Sequence, residues 1–153
     1  MTSIKLPDPR VFIDADVLFA GAASPTDHGA SLLILRLAEI TLIEALTSKQ
    51  VITEAERNLT AKLPQALPAF NHLVSRCLEI VSNPAAEDLQ VLQGLADPKD
   101  LPLLAVALRE GCPWLVTFNI RHFQPGHEKI NIVRPGEFIR QVREQLARLN
   151  TGE

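Results

Sequence analysis

The sequence predicts an α/β fold: a mostly parallel sheet of about five strands, covered on both faces by helices. Two observations predict it. Five short apolar segments, at residues 11–14, 41–45, 78–81, 114–117 and 130–133, are separated by longer stretches of helical periodicity. Strands that alternate with helices imply right-handed crossovers between parallel neighbours. The first segment also runs straight into two acids, Asp14 and Asp16. In an open α/β sheet the carboxyl ends of the strands are where ligands and catalytic groups collect. A carboxylate buried there needs a proton or a cation, because an unpaired buried charge is very costly.

The elements follow in order. Helical stretches are expected near residues 18–23, 28–39, 48–62, 64–76, 85–96 and 101–110, and a last helix near 135–149. Ser48 is a natural helix cap, with Val51, Ala55 and Leu59 following at helical spacing. Glu54 borders that apolar face, so it faces either the sheet edge or solvent, as most helix carboxylates do. The segment from Pro64 to Pro68 breaks two helices rather than two domains. In Asp97-Pro98-Lys99-Asp100-Leu101-Pro102, either Asp97 caps the next helix with Pro98 at its first position, or Asp100 caps it with Pro102 in its first turn. Capping leaves metal binding open, since a helix N-terminus favours a carboxylate. Thr117 and Asn119 end the fourth strand, as a turn or as groups that orient a water or a phosphate oxygen. Arg121, His122, Lys129 and Arg134 follow, as ordinary surface charges or a phosphate-contacting rim. His28, His72 and His127 show no ligand spacing. In the last helix Phe138, Val142, Leu146 and Leu149 share one face, which is expected to pack on the sheet.

Composition bounds the class. The 153 residues make one domain, spanning 1–153 with a core at about 10–134 and the terminal helix at about 135–149. No apolar run reaches the ~20 residues that cross a bilayer. The N-terminal segment has no signal-peptide core, which places the expected location in the cytoplasm. Cys77 and Cys112 lack metal-ligand spacing and read as reduced thiols. The net charge of −3 argues against a broadly basic nucleic-acid binder. If several acids gather around one metal site, however, the remaining surface is close to neutral, and a nucleic-acid substrate stays open.

Four segments taken together resemble the PIN domain, a family of metal-dependent nucleases that includes many toxins of bacterial toxin–antitoxin pairs. They are Phe12-Ile13-Asp14-Ala15-Asp16-Val17-Leu18, Ser48-Lys49-Gln50-Val51-Ile52-Thr53-Glu54, Asp97-Pro98-Lys99-Asp100 with the apolar helix to Leu108, and Leu115-Val116-Thr117-Phe118-Asn119-Ile120-Arg121-His122-Phe123. They occur in the family's order and span most of the chain. The resemblance implies a three-layer α/β/α sandwich with an acidic pocket at the strand ends. Asp14, Glu54 and Asp100 match the family's first three site acids, and Asp97 joins them. Asn119 stands where many members carry a fourth Asp. Asp16 replaces the more usual Asn and returns a carboxylate.

The resemblance further implies one or two Mg²⁺ or Mn²⁺ ions, which suit oxygen ligands. Asp14 and Asp100, with Asp97 and Asp16 beside them, would hold metal. Glu54 would orient or deprotonate the attacking water, and Thr117 and Asn119 would position that water or a phosphate oxygen. Arg121 and His122 would contact substrate phosphate. An RNA substrate, an antitoxin partner and a homodimer are implied in the same way. One rival pattern is literal. Asp14-Ala15-Asp16-Val17-Leu18 also fits the DxDx(V/T) signature of haloacid-dehalogenase-like phosphatases, with Asp14 as nucleophile. That family places its later acids after an apolar strand, whereas Asp97 and Asp100 open a helix. A PIN fold that binds RNA or protein without cutting is the non-enzymatic alternative.

Overall fold

A computed structural model describes residues 9–24 and 29–150. A five-stranded parallel sheet runs in the order β3-β2-β1-β4-β5, with β1 at Arg10–Ile13, β2 at Glu44–Ser48, β3 at Leu78–Val81, β4 at Trp114–Val116 and β5 at Asn131–Val133. Helices α1 (Ala15–Ala23) and α2 (Ala30–Glu39) link β1 to β2, and α3 (Lys49–Lys62) and α4 (Leu67–Cys77) link β2 to β3. After β3 the chain crosses back through α5 (Ala86–Val91) and α6 (Leu101–Arg109) to β4, on the other side of β1. Right-handed crossovers that reverse direction put their helices on opposite faces of the sheet. The α/β/α sandwich is thus a consequence of strand order. β1 and β4 flank the reversal, so the crevice between their carboxyl ends is the topological switch point.

The central strands are buried on both sides, as parallel strands between two helical layers must be. Val11, Phe12, Ile13, Leu46, Leu115 and Val116 are wholly buried. Among the helices, Gly21 lets α1 and α2 approach closely, since a Cβ there would stand 2.9 Å from Leu35 Cδ1. Cys77 and Cys112 are buried and not joined in a disulfide. No helix among the described residues is long and apolar enough to cross a membrane.

Most elements lie where the pattern puts them, with instructive offsets. β2 occupies Glu44–Ser48 rather than 41–45, because Thr41 takes a left-handed φ of 65°. There the amides of Thr41 and Leu42 close the end of α2 on Ala38 and Leu37. The apolar residues Leu42 and Ile43 therefore serve a helix-ending turn before the strand begins. The stretch at 64–76 splits into a 3₁₀ turn at Pro64–Ala66 and α4, and α5 stops at Val91, short of Gly94 with its φ of 86°. The first helical positions expected near His28 lie outside the described residues, and α2 starts at Ala30. The closing helix α7 (Pro135–Asn150) buries Phe138, whose ring meets Trp114 edge-on at 5.6 Å, and Val142. Leu146 and Leu149 are 40% and 43% exposed. At 1.5 Å per residue the helix outruns the body it packs on, so the expected stripe is only half used.

Candidate active site

Asp14 follows β1 directly and caps α1. Its backbone is extended, and Oδ1 accepts from the Ala15 amide at 2.6 Å. Its other oxygen accepts from the Thr117 hydroxyl at 2.8 Å. One helical residue on, Asp16 turns into the same crevice. Its Oδ2 accepts from the Phe118 amide and the Asn119 side-chain amide, each at 3.0 Å. The residues after β4 thus supply donors to the two acids after β1. Asp16 Oδ1 is buried and has no hydrogen-bond partner.

Ser48 ends β2 and caps α3, its Oγ accepting from the Val51 amide at 3.4 Å. Val51, Ala55 and Leu59 are buried beneath that helix, which leaves Glu54 exposed on the face that looks over the crevice. Asp100 occupies the N-cap position of α6, yet its side chain makes no capping bond. The expected capping role falls instead to the backbone, with the Asp97 carbonyl accepting from the amides of Asp100 and Leu101. The Asp100 carboxylate is left to face the pocket.

These groups line one cavity of about 400 Å³, walled by Asp14, Asp16, Glu54, Asp100, Asn119 and His122. Arg57 and Lys99 stand at its walls with Gln50, Thr53 and Asn58. Thr117 lies beneath it, wholly buried. The expectation that Thr117 touches a water or phosphate oxygen gives way to a different arrangement, in which its hydroxyl holds Asp14 in place. Arg121 is exposed and does not line the cavity. Asp97 is also outside the cavity wall, but its carboxylate clusters with Asp100 and His122. Arg57 and Lys99 are the cations that sequence reasoning passed over. The signal was present for both: Arg57 lies three residues after Glu54 on one helix face, and Lys99 sits between the two acids.

The electrostatics follow from burial. Desolvation, and then the charge of Asp16, pushes Asp14 up to about 7, against the lowering pull of the Thr117 and Ala15 hydrogen bonds. Asp16 is raised by burial and held back chiefly by the Phe118 amide. Asp100 is raised by burial too, while His122 and Lys99 pull it down. Three raised carboxylates around one crevice are a set short of positive charge. Together with the orphaned oxygens on Asp16 and Asp100, that deficit fits a hard divalent cation.

A parallel sheet with an acid-lined crevice at its switch point defines a class of proteins that gather carboxylates where strands end. Within that class this chain belongs to the PIN domain family, whose profile matches residues 10–121. No curated protein sequence matches it. Among solved structures it is similar to a chain of VapBC2 from Rickettsia felis bound to a DNA fragment from their promoter. That match has a TM-score of 0.60 and 18% identity, covering 80% of this chain and 96% of that one. It is also similar to PAE2754 from Pyrobaculum aerophilum, with a TM-score of 0.55 and 20% identity over 80% of this chain and 88% of that one. Family membership removes the phosphatase resemblance.

Proposed function

We propose that this chain is a divalent-metal-dependent nuclease that hydrolyses phosphodiester bonds in RNA, acting in the cytoplasm as the toxin of a toxin–antitoxin pair. The observation that carries the reading is the convergence of Asp14, Asp16, Glu54 and Asp100, from three separate segments, on one cavity in a PIN fold. Asp14 and Asp100 would hold the ion, with Asp16 beside them. When bound, a divalent cation lowers the pKa of water and stabilises charge developing on phosphate.

The chain's own residues supply the rest. Thr117 and Asn119 are positioning residues that donate to Asp14 and Asp16 and fix their oxygens. Glu54, exposed at the cavity wall, accepts the proton of the attacking water. Arg57 and Lys99, on α3 and just before α6, receive the phosphates flanking the cut, as cations do in nucleic-acid grooves. The RNA preference comes from the family resemblance. The antitoxin partner is inferred from the likeness to VapBC2. A homodimer is inferred from the resemblance alone.

The test is cleavage of a mixed panel of structured and single-stranded RNA and DNA with Mg²⁺ or Mn²⁺, run with wild type, Asp14→Asn, Asp100→Asn and an EDTA control. Metal-dependent cutting lost in both variants supports the nuclease. Equal cutting by all three proteins overturns the site assignment. An absence of cutting across the panel, with metal bound, favours a PIN fold that binds without cleaving.

A further inference from the structure

At the cavity wall, Asp100 and His122 join Asp97, which lies just outside the wall, in a second cluster that an all-carboxylate pattern does not contain. One ligand atom each from Asp97, Asp100 and His122 lie within 4.8 Å of one another. His122 Nδ1 stands 3.3 Å from Asp100 Oδ2. The pair is close enough for an ion pair but is not aligned for a hydrogen bond, and Asp100 Oδ2 is buried with no hydrogen-bond partner. That oxygen has no hydrogen-bonding donor although the imidazole stands beside it, so the place between the two atoms suits either a proton on Nδ1 or a bound cation.

The cluster is held by backbone bonds that do not involve its side chains. The Asp97 amide donates to the His122 carbonyl at 2.7 Å, the Asp100 amide to the Asp97 carbonyl at 2.8 Å, and the His122 amide to the Asn119 carbonyl at 3.0 Å. The loop before α6 and the 3₁₀ turn at Ile120–Phe123 are thereby stitched into one frame. Such a frame fixes where the three side chains start, so little ordering entropy remains to be lost when an ion is captured. First-row divalent ions sit about 2.0–2.2 Å from imidazole nitrogen and carboxylate oxygen, which puts neighbouring ligand atoms about 3 Å apart. The His122–Asp100 separation is close to that value before any adjustment.

We infer that His122, with the Asp97 carboxylate beside it, is a nitrogen ligand for the divalent ion that Asp100 holds, not a contact for substrate phosphate. The inference rests on the metal-dependent reading above and goes beyond it in naming a donor and a preference. Mg²⁺ keeps to oxygen ligands, whereas first-row transition ions gain from an imidazole nitrogen, Mn²⁺ the least of them because it too suits oxygen. A site with one imidazole and two carboxylates therefore binds Mn²⁺ in preference to Mg²⁺, and the preference resides in His122.

The test is electron paramagnetic resonance of the intact chain titrated with Mn²⁺, alongside electron spin-echo spectra of the bound ion. Wild type is compared with His122→Asn and Asp97→Asn, and circular dichroism is used to verify folding. The expected spectrum shows an imidazole nitrogen coupling that changes when histidine is isotopically labelled and disappears in His122→Asn. Mn²⁺ affinity falls about tenfold or more in His122→Asn, while Mg²⁺ affinity, read by competition, falls far less. Bound Mn²⁺ without nitrogen coupling in wild type overturns the assignment of His122 and leaves the nuclease reading standing. An absence of Mn²⁺ binding in wild type overturns the metal-dependent reading itself. The wild-type spectrum decides the question even if the His122 variant fails to fold.

Discussion

Thr117 donates its hydroxyl to Asp14 across a sequence separation of 103 residues, at 2.8 Å and out of contact with solvent. The bond joins the end of β4 to the end of β1 and holds a carboxylate that burial would otherwise protonate. Thr117→Val keeps the volume and deletes the donor. The expected result is a folded protein with divalent-metal affinity reduced about tenfold, since a hydrogen bond to a charged group is worth roughly 1.5–3 kcal/mol. Calorimetric titration with Mn²⁺ measures it, and unchanged affinity would show that Thr117 has no hold on the site.

Asp14 gives the metal-free protein a pH dependence of definite sign. Its folded pKa of about 7 lies above the ordinary carboxylate value, so the folded state binds the proton more tightly than the unfolded chain. The corresponding stability is fully present below about pH 4 and is lost as pH rises through 7. Asp14→Asn removes that loss and should be more stable than wild type at pH 8 by up to about 4 kcal/mol, at about 1.4 kcal/mol for each pH unit separating the folded and unfolded values. Urea unfolding in EDTA at pH 5 and pH 8 tests the sign. A wild type that gains stability over this range would contradict it.

Glu54 is exposed and makes no side-chain hydrogen bond among the described residues, so its removal should touch chemistry and not the fold. Glu54→Gln is expected to lower kcat by about 10²–10⁴, the range for a positioned general base, with stability unchanged within about 0.5 kcal/mol. Metal affinity is expected to stay within a few-fold of wild type. Asp100→Asn should instead lose metal binding, and the contrast between the two variants separates proton transfer from ion capture.

Arg57 and Lys99 both line the cavity that holds the acids. Replacing either with Ala should raise KM for an RNA substrate with little effect on kcat. Each lost phosphate contact should also flatten the log–log salt dependence of binding by about 0.7 on a single strand. Binding curves at several salt concentrations give that slope directly. A slope that does not change would place both cations outside the path of the substrate.

How much of this was legible in the sequence depends on whether neighbours along the chain or across it decide the outcome. The Ser48 cap and the buried Val51, Ala55 and Leu59 were readable because helix signals are local. The offset of β2 was not, because a left-handed Thr41 carries no strong signature and the apolar residues after it look the same in a turn as in a strand. The place of His122 beside Asp100 was hidden for a different reason. It depends on backbone bonds between two loops, from the Asp97 amide to His122 and from the Gly126 amide to Leu95, and no periodicity reports such bonds. Leu146 and Leu149 satisfy the helical pattern of a buried stripe, yet nothing in that pattern says where the body beneath the helix ends.

The position of β1 between β2 and β4 has a consequence for the birth of the molecule. The crevice draws on residues at the ends of strands that emerge from a ribosome far apart in time. A nascent chain that has made Asp14 and Glu54 still lacks the partner strand that fixes Asp14 and the turn that brings His122 to Asp100. No fragment ending before residue 117 can assemble the donors on which Asp14 and Asp16 rest. On the nuclease reading, the site is therefore incomplete until the segment through His122 has been made, and a product truncated before it lacks the assembled crevice.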